Sequence, residues 1–203
     1  LESQTQNDSV IRNSILIRIT GVARRLGIGF LAAVITGVIS GLLLRFIMRI
    51  IALAFPHMAR GFTFQGTFIL IIVGVGFSLA NSIIFTAIYH YLPTGWVRKG
   101  VLYGCINLVI YGIPFFLSNP DNDLFGPQAP LGIGLFSALF ILGGLLLSYL
   151  VDKMISWFGQ SKTRIVFNYI FFGMLIVPAL VMAGGIVYEI FHDLIPSIQS
   201  NFW

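Results

Sequence analysis

Residues 27–56 read GIGFLAAVITGVISGLLLRFIMRIIALAFP. No charged side chain occurs from Gly27 to Leu44, and a helix needs about 20 apolar residues to cross a bilayer core. Gly29, Ala33, Gly37 and Gly41 recur every fourth residue, a row of small side chains along one helix flank. Gly37 and Gly41 form the small-xxx-small step that lets two membrane helices approach backbone to backbone. A four-residue step drifts by about 40° per repeat, so the row is expected to serve two neighbours or one crossing helix. The same step then reaches Arg45 and Arg49. At 1.5 Å per residue they lie about 12 and about 18 Å beyond Gly37. The hydrocarbon half-thickness is about 15 Å, so the two arginines straddle its edge. Together with Arg60 they predict a clamp for an anion, a lipid headgroup or an acidic partner, because guanidinium suits bidentate carboxylate and phosphate binding. Snorkelling to headgroups explains the same residues without any partner.

Outward from this stretch the same composition continues. Of 203 residues, 57% are hydrophobic and 9% charged, against about 25% charged in a soluble domain. The chain therefore reads as an all-α integral membrane protein. Five segments qualify as spans: 27–47, 66–91, 99–117, 131–151 and 165–190. Val10–Val22 precedes them, with Ile11, Ile15, Ile19 and Val22 on one face and Arg12, Asn13 and Arg18 largely off it; this predicts an amphipathic surface helix. The expected organisation is a polar N-terminus with that helix at 1–23, a five-span bundle at 24–191 and a short tail at 192–203. Residues 1–9 carry no apolar run of signal-peptide type.

Lys and Arg set the orientation. Nine of twelve (Arg12, Arg18, Arg24, Arg25, Arg98, Lys99, Lys153, Lys162, Arg164) fall on the N-terminal side of the five-span arrangement, and Arg45, Arg49 and Arg60 on the other. The positive-inside rule then predicts N-in/C-out, with the plasma membrane of a bacterium as the expected location. The net charge of +5 is dispersed at helix ends rather than gathered in a stripe, which argues against a nucleic-acid partner. Membrane lipids and other membrane subunits are the expected partners.

Polar side chains recur inside two spans. Span two carries Gly74, Ser78, Ser82, Thr86 and His90 in four-residue steps with Asn81 beside them, and span three carries Tyr103, Asn107 and Tyr111. Interhelical hydrogen bonding is the plain reading. A polar path lined by Ser78, Asn81, Ser82, Tyr103, Asn107 and Tyr111 is the functional one, with Asn81 and Asn107 near enough in depth to meet. No acidic residue sits at mid-depth, which disfavours cation or proton coupling. Pro114 and Pro178 are expected to kink spans three and five. The histidines are His57, His90 and His192, each a candidate axial ligand for a pigment or haem. Glu189 and His192 share a face, but a dimetal site needs two such motifs and further glutamates, so no metal is expected. The lone Cys105 reads as a small buried hydrophobe. Phosphate loops, nucleophile elbows and zinc-protease motifs are absent, so no catalytic residue and no cofactor is assigned beyond bound lipid.

The run ending in Arg45, Met48 and Arg49, followed by Phe62-Thr63-Phe64-Gln65-Gly66-Thr67, resembles the first-span exit and second-span entry of small bacterial multi-pass membrane proteins. The likeness covers about a quarter of the chain and implies a bacterial-type bundle without a function. The leading expectation is a non-catalytic accessory or scaffolding subunit of a larger membrane complex. A small transporter or channel for an anion or polar solute is the alternative, and a pigment- or haem-carrying subunit the third.

Overall fold

The computed structural model describes residues 2–55, 63–118 and 126–202, with side chains described except at 2–17, 118, 162 and 200–202. His57, Arg60, Asp121 and Asp123 lie outside the described residues. The described elements are α1 (Glu2–Ala54), α2 (Phe64–Ile88), α3 (Trp96–Asn107), α4 (Ile113–Ser118), α5 (Ala129–Phe158), α6 (Lys162–Glu189) and α7 (Ile195–Phe202). Five helical stretches are long and apolar enough to cross a membrane: Arg18–Ala54, Phe64–Tyr91, Trp96–Leu117, Ala129–Phe158 and Thr163–Gln199. Each contains one of the five spans read from the sequence.

α1 runs without a break through its 53 residues, about 80 Å at helical rise. Nothing interrupts it between 10–22 and the first span, since a single glycine, Gly21, does not end a helix as proline does. At its other end α6 passes through a π-turn at Ile190–Leu194 into α7. The segment from 192 is therefore helical through Phe202.

Both π-turns, Leu108–Gly112 and Ile190–Leu194, stand two residues before a proline, Pro114 and Pro196. Proline withholds an N–H and its ring crowds the carbonyl four residues back. An extra residue in the preceding turn relieves that crowding, and Ile113 N–H accordingly bonds to Leu108 O. Pro178, by contrast, stays inside continuous α6.

α1 is central: α2, α5 and α6 pack directly on it, and α3 is carried mainly by α5. Two glycine contacts fix this order. A Cβ placed on Gly37 would strike the backbone of Val75, and one on Gly41 would lie 2.7 Å from Ile71 Cα and from Leu70 O. Gly74 answers from α2, where a Cβ would meet Gly37 O at 2.6 Å. Gly29 faces the same helix, at Thr86 and Ser82. The row is thus met by one neighbour, α2, which must follow its drift around α1. The second contact joins α3 to α5. Gly100 and Gly104 abut Leu145 and Ile141, and a Cβ on Gly144 would lie 2.6 Å from Gly100 O and Gly104 N. Gly104 faces α5, so Cys105, one residue on and about 100° round, faces outward and is exposed rather than buried.

The packed core lies toward one end of the bundle. Ile28, Phe30, Ala32, Ala33, Leu79, Phe85, Tyr103, Leu147, Val151 and Phe158 form it, with Ala179 from α6. Phe85 packs edge-on against Tyr103 at 4.8 Å between centroids. α6 is the most exposed span, and Met174, Val177 and Val181 are each more than 60% accessible, an outward face suited to lipid.

Gly144→Leu is expected to push α3 off α5 and to destabilise by about 1–3 kcal/mol, the usual penalty of overpacking. Gly134→Leu, where a Cβ meets nothing within 4 Å, is expected to change stability by no more than about 0.5 kcal/mol. Thermal melts followed by circular dichroism in one detergent compare them. Equal midpoints would remove the glycine contact as a constraint on the fold.

Candidate functional site

α2 and α3 approach each other mainly through long side chains, because the close backbone contacts lie in the α1–α2 and α3–α5 pairs. Where the two pairs meet they leave a partly open cavity of about 340 Å³. Its α1 wall runs from Thr36 to Leu44, about 12 Å along the helix, between the packed core and the Arg45 end. Phe77, Phe115, Phe136 and Phe140 supply ring faces, and Leu44, Leu139 and Leu147 aliphatic ones. Thr36, Ser40, Ser78, Asn81 and Asn107 supply the polar atoms. No ionisable side chain lies on the wall among the described residues.

The six residues of the expected polar path separate. Ser78, Asn81 and Asn107 line the cavity. Ser82 is sealed and donates to Leu79 O at 2.7 Å. Tyr103 is fully buried and donates to Asn81 O at 2.6 Å, with Asn81 Oδ1 at 3.3 Å. Tyr111 packs edge-on against Phe77. Asn81 spends its amide nitrogen on Phe77 O at 3.0 Å, so it bonds to Phe77 and Tyr103 rather than to Asn107. Two wall residues carry a sealed oxygen without a hydrogen-bond partner, Thr36 Oγ1 and Asn107 Oδ1, as Ser148 and Asn168 do elsewhere in the bundle. A buried polar atom left this way costs about 1–3 kcal/mol. Thr36 and Ser40 belong to this wall too, and sequence reasoning missed them. They sit one residue before Gly37 and Gly41, on the flank adjoining the glycine row, which was the available signal.

Arg45 is half-buried and Arg49 exposed. The Arg45 guanidinium lies beside the first turn of α2, 3.8 Å from where a Cβ on Gly66 would be. Thr63 caps that helix, accepting from Gly66 N–H at 3.1 Å. His90 Nε2 stands 2.5 Å from Arg25 Nη1, which engages the lone pair that an axial ligand would use. His192 stacks on Tyr188 with centroids 4.0 Å apart, and its Nδ1 lies 3.1 Å from Tyr188 O. Among the described residues no three His, Cys, Asp or Glu side chains gather as a metal site would require.

A second cluster that sequence reasoning missed lies at the packed end. Lys99 Nζ contacts Asp152 Oδ1 at 2.8 Å and Oδ2 at 3.2 Å. Tyr89 donates to Asp152 Oδ1 at 2.7 Å, and Lys99 Nζ sits 3.9 Å from the Tyr89 ring centre. The Lys99 side chain is 7% exposed and that of Asp152 30%. The cluster ties the end of α2 to α3 and α5. Its signal was present: Lys99 opens span three, Asp152 closes span four, and antiparallel neighbours bring those ends together. Nearby, Asn168 is fully buried and donates to Arg24 O at 2.7 Å. It fits because residue 27 is glycine, whose Cβ would lie 2.5 Å from Asn168 Oδ1.

Lys99→Met and Asp152→Leu are each expected to destabilise the bundle, and the double variant by less than their sum. The coupling should be about 0.5–3 kcal/mol, as for contacting groups in one network. Unfolding in mixed micelles measures the cycle; additivity within about 0.3 kcal/mol would show the pair to be energetically idle. No family model matches this chain, and no curated protein or solved structure matches it either.

Proposed function

We propose that the chain is a non-catalytic integral membrane protein that holds a small uncharged molecule in the cavity between α1, α2, α3 and α5, as a carrier of such molecules would. The observation that carries this reading is the cavity itself. It has the size of a ligand site, rings and aliphatic groups dominate its wall, and a few polar groups converge there. The wall chemistry shifts the expected solute from an anion to a neutral one, because an anion would lie among apolar rings with no cation on the wall. Arg45, adjoining wall residue Leu44, and Arg49 serve in this reading as a headgroup clamp at the cavity's outer end. The orientation is N-in/C-out, residues 10–22 continue span one on the cytoplasmic side, and a bacterial plasma membrane is the setting that the distribution of Lys and Arg supports.

Gly143 allows a clean test. A Cβ there would meet only Ser40 Oγ, at 3.7 Å, so Gly143→Leu fills the cavity without touching the α3–α5 contact. Propylbenzene is the probe, measured by equilibrium dialysis against nanodiscs with empty discs subtracting the lipid share. Wild type is expected to bind it saturably and Gly143→Leu at least tenfold more weakly, about 1.4 kcal/mol. Identical isotherms would rule the cavity out as a binding site.

A second reading keeps the accessory-subunit role. Gly173 and Gly184, eleven residues apart, fall on one stripe of α6, and a Cβ on either would meet nothing within 4 Å. Small residues on an outward membrane helix suit close approach by another helix. Mild detergent extraction of native membranes followed by sizing is expected to give a heteromeric particle on this reading. A lone chain of 22.4 kDa or a pure homo-oligomer would discard it.

A further inference from the structure

The cavity is closed at one end and open at the other. Thr36, Ser78, Asn81, Asn107 and Leu147 line its inner end, and all five are buried. Toward Arg45 the wall is made by Leu44, Val73, Phe115 and Phe136, of which Val73 is 50% and Phe115 41% exposed. The gap at that level lies between α2 and α4. α2 packs on α1 and α6, and α4 on α7 and the turns that flank it, with little direct contact between the two. Ring contacts mark the borders of the gap. Phe77 meets Tyr111 edge-on at 5.0 Å and Phe140 at 6.2 Å, which bridges α2 to the helices opposite. Phe115 meets Phe136 at 6.3 Å, which closes the side between α4 and α5. One turn further out than Phe77 and Tyr111 stand Val73 and Phe115, and there α2 offers a valine in place of a ring.

Depth decides what this mouth faces. Gly37 stands at the middle of span one. Leu44 lies about 10 Å beyond it along α1, short of the hydrocarbon boundary at about 15 Å, and Arg45 comes next. The mouth therefore opens on acyl chains rather than on water. Resting on the carrier reading above, we infer that the cavity is loaded sideways from the bilayer through a portal between α2 and α4, and that its ligand is a neutral lipophile, a hydrocarbon-rich molecule dissolved in the membrane. A void of about 150 Å³ lined by apolar side chains takes up benzene, so about 340 Å³ accommodates a ring with substituents. An uncharged wall complements an uncharged guest. The described wall has no ionisable group, and a charged head drawn inside would lack the counter-charge that burial demands. Lipid tails meet the same opening, so the end of an acyl chain occupies the outer part of the cavity until a guest displaces it.

The test reads contact with lipid chains from a tryptophan on the wall. The full chain carrying Phe136→Trp is placed in nanodiscs of one headgroup type whose acyl chains are either plain or brominated, bromine being a contact quencher of indole fluorescence. The wild-type chain in the same discs subtracts Trp96, Trp157 and Trp203. Ile133→Trp, at a position on α5 that is 39% exposed and off the cavity wall, gives the quenching of open lipid contact. Brominated chains are expected to quench Phe136→Trp as fully as Ile133→Trp, and saturating propylbenzene to restore the first and not the second. Val73→Phe, which sets a ring opposite Phe115, is expected to protect Phe136→Trp in the same way. Leu139→Trp repeats the measurement if Phe136→Trp does not fold. Three results overturn the side portal: no quenching by brominated chains, quenching by aqueous iodide instead, or bromine quenching that neither propylbenzene nor Val73→Phe relieves. The carrier reading survives each of these if propylbenzene still binds saturably in dialysis and Gly143→Leu still weakens it. Quenching that Val73→Phe relieves, with no binding of propylbenzene, leaves the portal standing and discards the carrier reading.

Discussion

The fold depends on backbone contact at six glycines. Gly37 and Gly41 against Gly74 bring α1 and α2 together, and Gly100 and Gly104 against Gly144 do the same for α3 and α5. Lipid tails are as apolar as leucine, so membrane helices gain little by burying aliphatic surface and associate through close packing and hydrogen bonds. Each pair uses one economical device: two glycines a turn apart on one helix straddle a single glycine on the other. A methyl group at each of these positions would lie under 3 Å from a neighbour's main chain. The alternative would be two separated helices, which would undo everything placed between them.

Two tight pairs do not tile perfectly. At the packed end the seam between them is filled by large groups, Phe30, Phe85, Tyr103 and Phe158, and locked by Lys99, Asp152 and Tyr89. The ion pair is energetically sensible there because Asp152 keeps access to solvent and accepts from Tyr89 as well, which offsets the desolvation that burial imposes. At the other end the filling stops near Leu147, and the cavity begins. The Lys99–Asp152 ion pair and the largest buried rings thus lie in one half of the bundle, and the cavity lies beyond them.

The five spans were legible because hydropathy and length decide them almost alone. The Gly37–Gly41 step was legible because its spacing is local. The α3–α5 contact was harder to see: Gly100 and Gly104 stand beside Lys99 in a less apolar stretch, and Gly144 finds its meaning only when α5 is laid against α3. The polar rows show the same limit. Their four-residue period correctly puts Ser78 and Ser82 on one flank of α2. It cannot tell that Ser78 reaches the seam while Ser82 is sealed, because that depends on how α2 winds about α1. Cys105 looked buried for the same reason: its surroundings in sequence are apolar, but its direction is fixed by Gly104. The Lys99–Asp152 pair is separated by 53 residues and appears only once the order of the helices is known.

Gly143 and Gly144 stand side by side and answer to different demands. Gly144 has main-chain atoms 2.6 Å from where its Cβ would be; Gly143 has a single serine hydroxyl at 3.7 Å. Packing requires the first and leaves the second free to be larger. Glycine inside a helix is about 1 kcal/mol less favourable than alanine, and a leucine at 143 would also fill the seam. A sequence shaped only for stability would place an aliphatic side chain there and an apolar one at Asn107. This chain does neither. Departures from local stability rules that gather at one place are what a binding site produces. The unfilled position at Gly143 and the amide at Asn107, together with the volume, are the reason to read the seam as a site.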